Sequence, residues 1–351
     1  MHLGLVIPQS GPSGIFGPSC AASAQLAVEE MNEAGGVLGD EVRVTTIDGG
    51  GRADRVAATV ARHIDAGAID AVLGWHTSAV RRHLVGTIGG RVPYIYTAVY
   101  EGGESAPATF MTGEVPETQL IPAMTWMSDE LGVRRWYIVG SDYVWPRTTV
   151  TMVVDDLTAH DSPARIVATE FLPLGTTDFS STLDNIERSD ATGILVLLLG
   201  GDAVAFNRSF GRRRLHERCV RLSPLMDENM LLGSGDDGAQ QLFSASGYFE
   251  SLATSDSLEF EGRYVRRFGS CAPPLTSPGE SCYEGLALLG ELVHRAGSLN
   301  PAVLECAADK PFTYASPRGE VRFSGRHLHQ DVYVARAEGL EFDVVTQVTT
   351  A

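Results

Sequence analysis

Basic residues are scarce: 27 Lys and Arg stand against 44 Asp and Glu, a formal net charge of −17 over 351 residues. Nucleic-acid binding needs a basic face for the phosphates, so this balance argues against it. The acidity otherwise predicts only a solvated, self-repelling surface. Long apolar runs are missing too. No stretch of about 18 apolar residues occurs, so no membrane insertion is expected. The first residues, Met1-His-Leu-Gly-Leu-Val-Ile-Pro8, open directly on an apolar strand pattern. They show no basic n-region, apolar h-region or small-residue cleavage site. With Met1 as the native start, the expected compartment is the cytoplasm. A signal peptide removed upstream would make it periplasmic or extracellular.

Cysteine is sparse and unpatterned: Cys20, Cys219, Cys271, Cys282 and Cys306, an odd count with no CxxC pair. Neither a zinc knuckle nor a redox dithiol is signalled. Buried free thiols are the expectation, with a Cys271–Cys282 bridge as the alternative.

The motifs of common enzymes are absent as well. Gly11-Pro-Ser-Gly14 lacks the GxSxG spacing, and Gly49-Gly50-Gly51 is a turn rather than a dinucleotide fingerprint. There is no GxxxxGK[ST] loop and no HExxH. His76 and His83 have no ligand-spaced carboxylate or cysteine between them. His327 and His329 sit i, i+2 in a polar stretch. No metal, no cofactor and no catalytic constellation is therefore expected. The run Arg212-Arg-Arg214 reads as the charge complement of a helix C-terminus.

What is present is regular alternation of apolar strands and amphipathic helices over a length that suits two domains. Leu3–Ile7, Val42–Ile47, Ala71–Leu73 and Pro93–Tyr96 read as strands, with helices at Cys20–Glu33, Asp54–Ala66 and Thr77–Ile88 between them. A second series follows. Strands Arg135–Val139, Arg165–Phe171 and the apolar run Gly193–Leu199 alternate with helices Gln119–Leu131, Thr148–His160, Phe179–Arg188 and Ala203–Arg212. Two doubly wound, mostly parallel sheets are the predicted fold class. The tail breaks the pattern with helices Ser257–Phe268, Ser281–Ala296 and Ala302–Ala308 before strands Glu320–Phe323 and Val332–Ala337, so the chain is expected to return to the first domain.

Open parallel sheets bind ligands beyond the carboxyl ends of their strands. Here those positions are Pro8–Gly14, Asp48–Gly51, Gly74–Ser78, Tyr96–Gly103, Gly140–Arg147, Gly200–Asp202 and Pro224–Glu228. They carry glycine, hydroxyls and aromatics, a composition suited to a mostly neutral pocket. Ser78 is placed in a helix first turn, where its hydroxyl and nearby N–H groups could hold a ligand oxygen; the plainer reading makes Ser78 or Thr77 a cap. Tyr96, Tyr100 and Tyr143 lie at strand ends, as ligand contacts or as ordinary packing. His76, Ala98 and Gly201 lie in strand-end loops and are further candidate ligand contacts. Asp227 and Glu228 could accept from a ligand N–H, or remain solvated loop carboxylates.

The blocks Gly11-Pro-Ser-Gly14 to Gly17, Ala27-Val-Glu-Glu-Met-Asn32, Gly35-Gly-Val-Leu-Gly39, Leu73-Gly74 with Ser78, and Tyr100-Glu-Gly102 resemble the branched-chain amino-acid and amide-binding family of periplasmic-type receptors. With Tyr96, the block Gly140-Ser-Asp-Tyr-Val-Trp-Pro-Arg147 looks like its amide- and urea-binding branch. The resemblance implies the type I fold: two lobes joined by three crossovers, closing a cleft on one small polar ligand. It places the lobes at 1–114 with 248–322 and at 115–247 with 323–351. It implies ligand contacts at Ser78, Tyr96 and Tyr143. Ala98 stands where the amide sensors carry a hydroxyl, and Trp75-His76 differs from the family's small or Tyr residues. Thr97-Ala98-Val99 fits an amino-acid carboxylate poorly, so a short aliphatic amide is expected ahead of urea or an amino acid. The implied role is a cytoplasmic sensor of amide or nitrile metabolism, partnered by an antiterminator-type regulatory protein and able to form a homo-oligomer. The alternative is the substrate-binding component of an ABC importer. A hydrolase of amides or nitriles lacks a nucleophile.

Overall fold

The structure, a computed structural model, describes residues 1–348. The chain divides into two compact units, Met1–Gly113 with Leu252–Gln330, and Glu114–Ser251 with the chain from Asp331 onward. In the first unit β1 (His2–Ile7), α1 (Gly17–Glu33), β2 (Arg43–Asp48), α2 (Ala53–Asp65), β3 (Ala71–Gly74), α3 (Ser78–Ile88), β4 (Tyr94–Tyr96) and β5 (Thr109–Met111) follow in order. The second unit continues with α4 (Leu120–Leu131), β6 (Arg135–Ser141), α5 (Val144–Ala159), β7 (Arg165–Leu172), α6 (Ser180–Arg188), β8 (Gly193–Leu197), α7 (Gly201–Arg212), β9 (Val220–Leu222), α8 (Glu228–Ala239) and β10 (Leu242–Ser246). The chain then returns to the first unit through α9 (Ser255–Phe268), α10 (Ser277–Ala296), α11 (Pro301–Ala308), β11 (Phe312–Ser316), β12 (Gly319–Ser324) and β13 (His327–His329). It ends on β14 (Val332–Glu338) and β15 (Glu341–Val348) of the second unit.

The first sheet has the order β11-β12-β13-β5-β4-β3-β1-β2, parallel from β2 through β13 and antiparallel beyond. The second is β15-β14-β10-β9-β8-β6-β7, with its last hairpin antiparallel to a parallel core. Both are the doubly wound α/β sheets expected. Every residue of β8 is buried, as a strand covered by helices on both faces must be. In the first unit α1 and α10 pack so closely that a Cβ on Gly279 would stand 2.1 Å from Ser19 Oγ.

Several details differ from expectation. Val144–Arg147 is the first turn of α5 rather than loop, because Pro146 falls where a helix has no amide to lose. The last change of unit comes after Gln330 rather than at 322/323, since β12 and β13 pair within the first sheet. The short strands β5 and β9 carried too few residues to show a period. All five cysteines are free, so Cys271 and Cys282 are not bridged, and Cys271 and Cys306 are exposed rather than buried. No helix among the described residues is long and apolar enough to cross a membrane.

One buried cation lies inside the second unit. Arg221 of β9 is wholly buried and donates to Asn207 Oδ1 (2.7 Å), to the Gly238 carbonyl (2.9 Å) and to the Gln240 carbonyl. Its guanidinium lies over the Phe210 ring at 4.3 Å. Burial pulls its pKa down to about 9.

Candidate functional site

The carboxyl edge of the first sheet gathers His76, Ser78, Tyr96, Ala98 and Tyr100. Gly74 ends β3 where an added Cβ would lie 2.0 Å from the Val6 carbonyl oxygen, so only glycine lets the chain pass. Trp75 follows, buried against Phe16 with ring centroids 4.4 Å apart. His76 is fully buried. Its Nδ1 lies 3.0 Å from the Val6 carbonyl, and its Nε2 2.6 Å from the Tyr94 hydroxyl. A carbonyl only accepts, so Nδ1 carries the proton and Nε2 accepts from Tyr94. Burial first, and the nearby Arg81 charge as well, lower its pKa to about 4, against the opposing pull of the Val6 carbonyl. His76 is thus a neutral core residue with both nitrogens engaged.

Thr77, not Ser78, caps α3, its side chain accepting from the Val80 amide. The Ser78 hydroxyl is left buried without a partner in hydrogen-bond geometry. It stands beside the Tyr96 hydroxyl, whose proton goes to the His76 carbonyl at 2.7 Å. Burial drives the Tyr96 pKa well up, so the phenol stays neutral. Ala98 is buried, and its carbonyl lies so near Gly113 that a Cβ there would be 1.9 Å away. Tyr100 bonds His327 Nδ1 at 2.5 Å.

Arg81 joins these parts, and the sequence reading overlooked it. One turn along α3 from Ser78, it donates to Glu101 Oε1 at 2.7 Å and to Glu104. Its guanidinium lies 5.5 Å from the Tyr96 ring centroid and 5.3 Å from that of Tyr100. Arg82 Nη2 reaches the same Glu101 oxygen at 2.9 Å. The visible signal was the glutamate of the Tyr100-Glu-Gly102 block, a carboxylate with no stated partner.

The second unit places Tyr143, Gly201 and Asp227 at the carboxyl ends of β6, β8 and β9. Tyr143 opens α5, half-buried, its ring 6.3 Å from that of Trp145. Arg147 closes that block through Asp142 Oδ1 at 2.6 Å and lies over the Phe171 ring. Gly201 is exposed at the start of α7. Asp227 is buried rather than solvated and caps α8, its Oδ1 accepting from Met230 N at 2.8 Å. Glu228 is buried beside it and accepts from the Glu250 amide at 3.0 Å. Burial, then the neighbouring Asp227 charge, raise the Glu228 pKa to about 8. No cluster of metal-ligating side chains occurs among the described residues.

The family model described as periplasmic binding protein matches residues 1–341. The chain belongs to the periplasmic binding protein family. It is 25% identical over 187 residues to the Leu/Ile/Val-binding protein homolog 6 of Brucella melitensis, covering 51% of this chain and 47% of that protein. The chain thus spans about half the length of the curated relatives it matches. Among solved structures, a solute binding protein of an ABC transporter from Rhodopseudomonas palustris HaA2, in complex with p-hydroxybenzoic acid, superposes with a TM-score of 0.88 at 19% identity, covering 100% of this chain and 97% of that one. The branched-chain amino acid transporter substrate binding protein LivJ from Streptococcus pneumoniae, in complex with isoleucine, gives 0.84 at 18% identity, covering 99% of each chain. These likenesses establish the two-unit, mostly parallel α/β fold of this periplasmic binding protein.

Proposed function

We propose that the chain is a non-catalytic receptor for a small neutral polar ligand, a short aliphatic amide, held at the carboxyl edge of the first sheet. The Ser78 hydroxyl carries this reading: it is buried beside the Tyr96 hydroxyl, whose own proton goes to the His76 carbonyl, and set in the first turn of a helix capped by Thr77. First-turn amides have no intrahelical acceptor, so the hydroxyl and those N–H groups together suit a carbonyl oxygen. Neutrality follows from charge. Arg81 and Arg82 are balanced by Glu101 and Glu104, and no hydroxyl stands at Ala98 to grip a second carboxylate oxygen.

Calorimetry with acetamide, butyramide, urea, isoleucine and benzoate tests the ligand class. Heat with an amide, weakened about 5- to 10-fold in Ser78→Ala by loss of one hydrogen bond, supports it. Heat only with the carboxylates overturns it. Steady ammonia release from an amide would revive an enzyme.

The solved relatives named for ABC transporters favour an importer's substrate-binding component as the physiological role. The Gly140–Arg147 resemblance favours a sensor that signals through an antiterminator-type protein. A signal peptide encoded upstream of Met1 supports import; amide-dependent release of an RNA-binding partner supports sensing.

A further inference from the structure

We propose that Arg81 is a positioning residue that locks the first turn of α3 to the segment leaving β4, fixing Ser78 relative to Tyr96 and Tyr100; its bearing on ligand binding rests on the receptor reading above. Three ion pairs cross between these two pieces of chain. Arg81 reaches Glu101 and Glu104, and Arg82 reaches Glu101. The Arg81 and Glu101 side chains are each only 3% exposed, so water screens their attraction little. Ser78 and Arg81 are i, i+3 on α3 and share a face. The Arg81 guanidinium also sits within cation–π range of both tyrosine rings, whose hydroxyls are already committed to the His76 carbonyl and to His327. One planar side chain therefore references the helix start, two aromatic rings and the Tyr100–Glu104 turn to each other.

Stability alone is a poor account of this pair. Arg81 Nε and Glu101 Oε2 are buried without partners, and a buried ion pair left incompletely bonded contributes little net stability. What the fork supplies is direction: two N–H donors in one plane set the helix against two carboxylates at once. Lysine at this position keeps the charge and loses that geometry.

Hydrogen exchange of the ligand-free full chain, read by mass spectrometry in wild type, Arg81→Lys and Glu101→Gln, tests the lock without any ligand. Protection is expected to fall together, about tenfold or more, in peptides covering residues 78–82 and 97–104, with α10 and the second unit unchanged. Loss in one segment only, in neither, or uniformly across the first unit overturns the proposal. A butyramide titration then separates the two layers. Wild-type binding that weakens about tenfold in Arg81→Lys at a nearly unchanged melting temperature supports both. Wild-type binding that Arg81→Lys leaves intact overturns the positioning role. Absence of wild-type binding removes the amide reading, while the exchange result still decides the lock.

Discussion

Glu228 gives the second unit a pH dependence that can be sized in advance. Its carboxyl is buried, with Oε1 on the Glu250 amide and Asp227 alongside, and its pKa rises from 4.5 to about 8. An acid with a higher pKa folded than unfolded supports folding in its protonated form. The contribution is therefore complete below about pH 4.5 and is lost as pH climbs through about 8. At ~1.4 kcal/mol per tenfold in proton affinity, the full loss is about 5 kcal/mol. Roughly 2–3 kcal/mol of that falls between about pH 6 and about pH 9. Glu228→Gln keeps an oxygen for the Glu250 amide and cannot ionise, and the Asp227 cap is untouched. Urea unfolding of both proteins across that range is expected to show the glutamine variant gaining on wild type by about 2–3 kcal/mol, with m unchanged. A difference that stays constant with pH would falsify the reasoning, because Glu228 would then ionise alike in folded and unfolded chains.

Three further outcomes follow from the same geometry. Gly74→Ala drives a Cβ to 2.0 Å from the Val6 carbonyl and should cost about 3 kcal/mol or more, read as a lower melting temperature; a melt like that of wild type refutes it. Arg221→Met leaves the Gly238 and Gln240 carbonyls and Asn207 without their donor and should cost about 2–4 kcal/mol in urea; a loss below about 1 kcal/mol would show the fork to be dispensable. The His76 pKa is lowered to about 4, so its folded form resists protonation, and the stability it confers above its ordinary 6.5 drains away as pH falls through about 4. Ring-nitrogen NMR should find this imidazole neutral at about pH 5.5, and an imidazolium there would contradict the assignment.

Much of the architecture could be read from residues. The run Gly193–Leu199 is apolar throughout because β8 is covered on both faces, and Gly35-Gly36 ends a helix where the pattern placed it. Strand-to-helix punctuation also put Ser78 at a helix start. The chemistry behind that start was illegible. Arg81 looks like any charge on a solvated helix face until Glu101 and Glu104, distant in sequence, bury it. Asp227 and Glu228 look like loop carboxylates as well; Asp227 is a local helix cap that accepts from the Met230 amide three residues on, and Glu228 accepts from the Glu250 amide, which only tertiary packing brings near. His76 drew notice as a site residue, yet its partners Val6 and Tyr94 come from two other strands.

The interleaving of the two units along the chain has a consequence for biosynthesis. When the ribosome has made Gly113, the first sheet still lacks β11, β12 and β13, and α1 lacks the α10 surface it packs against. The second unit waits longer, because its β14 and β15 follow β13 in the chain. The first unit cannot complete its sheet until β13 has emerged, nor the second until β15 has. Exposed parallel strands must therefore be kept apart from their neighbours on the polysome, which makes nascent-chain chaperones a stronger requirement here than for a protein whose domains are each encoded without interruption.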